Sequence, residues 1–316
     1  MTGAAPPDGG RPGYRDHFQR PEAVVAYQRT YTGPDRTGDQ QAWDHQRRWL
    51  QAALPPVGDG TGRRALDYAC GTGRVLAVLA DRYPLAHGWD SSAAMLRVCQ
   101  AAVPTARLRL VDLADPTAGR PPPGRFDVIT VFRLLLNLEP DRRAVILRAL
   151  VDRLADGGLL VVENHGNRRS LRHLALPLRR RPAGFANELT DRQMRALLAD
   201  AGLDVLARAG FGWLPERLHR SGRTGLLARR VDGLLQAGTR SPVLAIRVLY
   251  LARRSPPREP AGPAPAGPAP AGSAPAGSAP AGPAPGGSAP GGPAPEGSAS
   301  EGSAPAGAGG RPGRRR

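Results

Sequence analysis

Two rhythms of apolar residues alternate along roughly the first 250 positions of the chain. Trp43, Arg47, Leu50 and Leu54 recur at steps of four and three, which predicts a helix over Asp39 to Leu54, stopped by Pro55-Pro56. Ala65 to Ala69 is a short apolar run of strand length, followed by a Gly71-Thr72-Gly73 turn and a helix burying Val75, Leu76, Leu79 and Tyr83. Strands over Leu85 to Trp89 and Arg107 to Val111 flank a helix from Ser92 to Ala102. The β-branched and aromatic run Phe126 to Phe132 is the clearest strand. A helix from about Asp141 to Leu154 should end at Asp156-Gly157-Gly158, ahead of a strand over Leu159 to Glu163.

The remaining third is less regular. Arg168 to Pro182 reads as a basic insertion, and Thr190 as the cap of a helix ending near Gly202. Leu203 to Phe211 predicts a strand, Pro215 to Ala237 a mostly helical stretch, and Ala245 to Ala252 a last strand. Strands alternating with helices imply right-handed βαβ units in an α/β fold with a mostly parallel sheet, and the strand-helix-strand ending permits an antiparallel edge strand.

Composition changes this picture at the C-terminus. From Ser255 the chain becomes Pro, Ala, Gly and Ser with an imperfect five-residue repeat, too poor in apolar side chains to offset its own ordering entropy. A disordered tail over 255–316 is expected, acting as a spacer. Basic residues outnumber acidic ones by 44 to 27, for a formal charge of +17, and every basic residue is arginine. That excess favours anionic partners but also suits an arginine-biased proteome. Only Cys70 and Cys99 are present, which excludes a disulfide framework and fits free thiols in the cytoplasm. No apolar run reaches the ~20 residues of a membrane span.

The chemistry concentrates at predicted strand ends. Leu66-Asp67-Tyr68-Ala69-Cys70-Gly71-Thr72-Gly73 puts an acid at the end of a buried strand and glycines where the backbone must turn closely before a helix N-terminus. Gly88-Trp89-Asp90 ends the next strand with an acid suited to ribose hydroxyls, and Val111-Asp112-Leu113 ends the third with another.

Asp67 to Gly73 resembles the first motif of the class I S-adenosylmethionine-dependent methyltransferases, with Ala69 where the first glycine is usual. The resemblance spans roughly Gln40 to Gly210 and keeps the motifs in order. It implies a Rossmann-like fold, a seven-stranded sheet with helices on both faces, and S-adenosyl-L-methionine as the cofactor. The cofactor-binding residues it implies are Asp67, Ala69, Gly71 and Gly73 in the first motif, then Asp90 with Ser91 for the ribose. Met95 lies against the adenine, Asp112 and Leu113 lie near its amino group, and Phe132 closes the set after the fourth strand. By periodicity alone Met95 reads equally as core.

His165 follows Glu163-Asn164 at the end of the fifth predicted strand and is the candidate general base, or an ordinary loop histidine. Arg133 and Asn137, after the fourth strand, are candidates for holding substrate. Tyr31, with Tyr27 and Arg36, belongs to an N-terminal segment that would fold over the cofactor as a lid. The expected domains are thus 1–38 as that segment, 39–254 as the catalytic domain with insertions about 165–185 and 214–240, and the tail. A small-molecule acceptor is favoured, its O, N or C nucleophile left open. An RNA or protein methyltransferase docking through the arginine tracts (Arg168 to Arg181, Arg217 to Arg230) and a non-catalytic cofactor-binding module are the alternatives. Nucleic acid is possible without being favoured, since the first tract lacks interleaved aromatics. The oligomeric state stays open.

Overall fold

The computed structural model describes residues 18–32, 37–55, 62–113, 124–174, 187–219, 222–239 and 241–255. Contacts divide the chain into Met1–Pro260 and Ala261–Arg316, and the second unit lies wholly outside the described residues. So do Arg36, Pro56, Arg179 to Arg181 and the expected tail beyond Ser255.

The chain opens with a helix that its sequence pattern did not announce, α1 (Pro21–Thr32), followed by α2 (Gly38–Ala53). Thr37 caps α2 with a reciprocal box: its hydroxyl accepts from Gln40 N–H while the Gln40 side chain accepts from Thr37 N–H. Then come β1 (Arg64–Tyr68), α3 (Arg74–Ala80), β2 (Leu85–Asp90), α4 (Ala93–Ala102), β3 (Arg107–Leu110) and β4 (Phe126–Val131). After β4 follow α5 (Pro140–Val151), β5 (Leu154–Asn164), the short α6 (Leu171–Leu174) and α7 (Asp191–Asp200). The chain closes with β6 (Leu203–Phe211), α8 (Gly222–Gly238) and β7 (Arg247–Arg254).

The strands form one seven-stranded sheet in the order β3-β2-β1-β4-β5-β7-β6. β1 to β5 pair in parallel, whereas β7 is antiparallel to both β5 and β6. The order reverses between β1 and β4, so their carboxyl ends diverge into the crevice where open α/β sheets bind ligands.

Alternation along the central strands fills two core layers. Val128, Val161, Leu249 and Leu251 pack with Leu50 of α2 and Val75 and Leu79 of α3. Ile129, Leu160, Val162 and Tyr250 face the other way, against Ile146 and Leu150 of α5 and Met194 and Leu198 of α7. Both faces of the sheet are therefore covered, which is why these strands read as continuous apolar runs.

One expected boundary fails. α5 ends at Val151, and Gly157-Gly158 does not cap it but sits inside β5, where the pairing with β4 shifts between Phe126 and Val128. Gly157 takes φ +75° there, a bulge geometry that a Gly pair imitates in a helix C-cap signal. The stretch expected to be helical from Pro215 likewise begins with a 3-10 turn, Glu216–Leu218, before α8.

Candidate functional site

The loop after β1 is shaped by its backbone. Ala69 and Cys70 N–H both donate to Trp89 O on β2, at 2.8 and 3.0 Å, and Gly73 N–H donates to Cys70 O at 3.0 Å. Ala69, Gly71 and Gly73 all adopt positive φ, at 67°, 55° and 91°. The two glycines serve different ends. A Cβ on Gly71 would meet no atom within 4 Å, so its open side faces ligand space. A Cβ on Gly73 would come within 2.8 Å of Cys99 Sγ, so Gly73 lets α3 close on α4. Cys70 and Cys99 are both buried free thiols.

Asp90 ties this loop to the end of β2. Its Oδ2 accepts from Gly71 N–H at 2.8 Å and its Oδ1 from Ser92 N–H at 2.9 Å. Burial raises its pKa, against the lowering effect of these backbone donors. Each oxygen keeps lone-pair capacity for a further donor.

A cavity of about 400 Å³ opens beside these groups. Of the sequence-predicted residues it brings together Ala69, Gly71, Asp90, Ser91 and Met95. Asp112, Leu113, Phe132, Arg133 and Asn137 continue the same wall. Ser92, Phe18 and Tyr27, Leu134 and Leu138, and Glu139 with Arg142 complete it. Four predicted residues do not line it, Asp67 among them. Gly73 is spent on helix packing, Tyr31 stands behind Arg133, and His165 is absent from the wall.

Asp67 also lies behind the wall. It is 1% exposed and accepts from Thr130 Oγ1 at 2.7 Å. Burial pushes its pKa up to about 7, against the Thr130 hydrogen bond and the Arg74 guanidinium. It lines a smaller hollow with Arg74, Thr72 and Phe132.

The helix α1 closes one side. Val24 packs with Ala94 and Met95, joined by Phe18 and Tyr27. Ser92 Oγ donates to Phe18 O at 2.5 Å, and Gln19 Nε2 donates to Ser91 O at 2.9 Å. Tyr31 meets three cations: Arg74 lies over its ring at 4.2 Å, Arg133 donates to its hydroxyl at 2.6 Å, and Arg247 is close enough to act on it. Together they bring its phenol below the ordinary value although burial works the other way. Arg74 is also stacked on Trp43 at 4.1 Å. Asp39, at the start of α2, pairs with Arg247 and lies 3.7 Å from Arg133.

His165 occupies the turn after β5, where its Nδ1 is buried without a hydrogen-bond partner among the described residues. Burial, then Arg133, Arg172 and Arg143, holds its imidazole well below the usual histidine value. It is a weak proton acceptor in that setting.

Among the described residues, Ala69 and Arg133 are the two non-glycine residues at positive φ, at 67° and 54°. They follow β1 and β4, so backbone strain flanks the point where strand order reverses. Sequence reasoning missed Arg74, Trp43, Phe18 and the Asp39–Arg247 pair. Only Arg74 carried a signal, its place directly after the glycine turn.

The geometry agrees with the comparisons to known proteins. Residues 40–208 match the sequence model of the methyltransferase-domain family. A trans-aconitate 2-methyltransferase from Variovorax paradoxus is 32% identical over 171 residues, covering 52% of this chain and 64% of that protein. One from Methylobacterium radiotolerans is 38% identical over 107 residues, covering 33% and 39%. The chain thus spans less than two thirds of the length of these curated relatives. Among solved structures, magnesium protoporphyrin IX methyltransferase from Synechocystis with bound SAH superposes with a TM-score of 0.52 at 19% identity, covering 76% of this chain and 98% of that one.

Proposed function

The chain belongs to the class I S-adenosylmethionine-dependent methyltransferases, and from that premise we propose that it methylates a small molecule carrying a carboxylate. The cofactor fits the residues present. Asp90 offers acceptors beside the loop that suit ribose hydroxyls, Gly71 leaves open space, and Met95, Leu113 and Phe132 give apolar walls beside Asp112. Residues 39–254 would form the catalytic domain and 1–38 a cover over the cofactor, of which α1 is the described part.

The carrying observation is the cavity wall, which continues from the cofactor residues to Arg133, Asn137 and Arg142. Two arginines among the lining residues suit a carboxylate, since guanidiniums hold that group by charge-assisted hydrogen bonds. The bound cofactor supplies an electrophilic methyl group on a sulfonium. The protein's own work is alignment and exclusion of water. Asp39 and Tyr31 hold the Arg133 guanidinium in place, and Asn137 Nδ2 donates to Arg133 O at 2.5 Å, fixing the strained turn. A carboxylate oxygen needs no base to become nucleophilic. That accords with a His165 depressed in basicity and set apart from the wall. The curated relatives named for trans-aconitate methylation support the same substrate class. The two buried free thiols favour a cytoplasmic setting.

The test is radiolabelled methyl transfer to a panel of small di- and tricarboxylic acids, their amides and esters, bulk RNA and an arginine-rich protein. Base-labile product on the free acids alone supports the reading. Transfer to RNA or protein, or cofactor binding with no transfer to any acceptor, overturns it.

A further inference from the structure

Helix α8 departs from the usual division of polar and apolar faces. It rests on the molecule through Gly225, Ala228 and Asp232. Asp232 anchors it firmly: its carboxylate accepts from Trp213 and Leu214 N–H at 3.0 and 2.9 Å and from His219 Nε2 at 3.0 Å. Gln41 Nε2 of α2 donates to Arg229 O at 2.8 Å. At 100° per residue the side turned furthest from this contact carries Leu227 and Leu234, seven residues apart, with Arg223 and Arg230 beside them at the same spacing. Leu227 is 63% exposed, Leu234 73% and the flanking Leu226 47%. A solvated helix face ordinarily bears charges there, because a leucine left in water forgoes burial that a charged side chain does not need.

The charge pattern restricts what can cover this face. Helix α8 itself carries three arginines, Arg223, Arg229 and Arg230, and a single acid, Asp232, which is buried. A second copy of the chain would bring the same arginines against one another, at a formal charge of +17 on each copy. Leucines flanked by arginines on a helix lying along a surface are instead the pattern that anionic bilayers accept, with apolar side chains at the acyl boundary and guanidiniums at the phosphates.

We propose that the outer face of α8 docks on an anionic lipid surface, Leu226, Leu227 and Leu234 entering the headgroup boundary while Arg223 and Arg230 contact lipid phosphates. The placement is functional. β5 and β6 both run antiparallel to β7, so α8, which follows β6, lies at the carboxyl ends of the parallel strands, as the cavity does. Glu216, just before α8, accepts from Gly38 and Asp39 N–H at 3.3 and 3.2 Å, linking the helix to the Asp39 that pairs with Arg133. Docking therefore turns the reactive end toward the membrane. No helix among the described residues is long and apolar enough to span it.

Flotation of the full chain with vesicles tests this. Wild type should bind vesicles of equimolar phosphatidylcholine and phosphatidylglycerol and leave pure phosphatidylcholine in solution. Leu227→Glu with Leu234→Glu should weaken binding roughly tenfold or more with an unchanged far-UV circular dichroism spectrum. Arg223→Gln with Arg230→Gln should weaken it severalfold and flatten its salt dependence. No binding to the anionic vesicles, equal binding to the neutral ones, or full binding by the leucine variant would overturn the proposal. A concentration-dependent wild-type dimer that the leucine variant abolishes would also overturn it, giving the face to a second copy.

Discussion

The two ends of the crevice are built by different means. The end proposed for the cofactor has a local centre: the stretch from Ala69 to Met95 supplies its loop and its acid, held by hydrogen bonds from backbone to backbone and to one carboxylate. The other end is assembled from distant side chains. Arg133 reaches Tyr31 across 102 residues, and Gly38 meets Glu216 across 178. Outside the cavity wall, the pairs Asp39 with Arg247, Arg172 with Glu188 and His219 with Asp232 each join separate elements or loops. A site made of backbone geometry tolerates few residue types and leaves a mark in the sequence. A site made of paired charges can be built in many ways and leaves none.

That contrast can be broken by mutation. The largest effect should come from Gly73→Val, which combines positive φ with a Cβ 2.8 Å from Cys99 Sγ. A stability loss of about 3 kcal/mol is expected by urea unfolding. A variant as stable as wild type would mean that the helices have slack. Next, Asp90→Ala removes the acceptor of two N–H groups and, on the proposed reading, of the cofactor's ribose, and should weaken S-adenosylmethionine binding roughly fiftyfold by calorimetry. The same titration on Asp232→Ala should stay near wild type, because that carboxylate anchors α8 through Trp213, Leu214 and His219 and does not line the cavity. An equal loss in both would erase the distinction drawn here.

Asp39→Ala should cost about 1–2 kcal/mol, moderated by the partial exposure of Arg133. Restoring the charge with Glu should recover part of it, whereas a merely steric role would not respond. The smallest effects concern pH. With a folded pKa of about 7 against 3.8, protonated Asp67 contributes stability that is whole below about pH 3.8 and is lost as pH rises toward 7. The hydrogen bond that His219 donates to the Asp232 carboxylate raises its pKa above 6.5, so its contribution is whole below that value and fades as pH rises through the folded pKa. Melting profiles against pH should therefore diverge from wild type between about 3.8 and 7 for Asp67→Asn, and as pH rises beyond 6.5 for His219→Gln. A His219→Gln profile that parallels wild type above 6.5 would show that this imidazole is not titrating as its surroundings dictate.

Much of the fold was legible because both sheet faces are covered, so strands such as Phe126–Val131 stand out as apolar runs between glycine and proline punctuation. The antiparallel edge was readable from the strand-helix-strand ending. Helix α1 was not, since of its residues only Val24 is buried. Gly157-Gly158 misled because a bulge and a helix stop ask for the same residues. At the site, strand-end acids and glycines marked one half of the wall. His165 was placed by its position after β5, which fixes the side chain's level in the sheet but not the cavity it faces.

Ala69 and Arg133 also bear on how the protein can change over time. Each holds a left-handed backbone conformation at a cost of about 1 kcal/mol, which glycine would avoid. Random variation tested only for folding should therefore favour Ala69→Gly and Arg133→Gly. Selection on the proposed site would resist at least the second, since it changes a residue of the wall. The rest of the sheet carries the expense of both conformations. Thermal hardening and retention of the site's geometry thus pull against each other at these two positions.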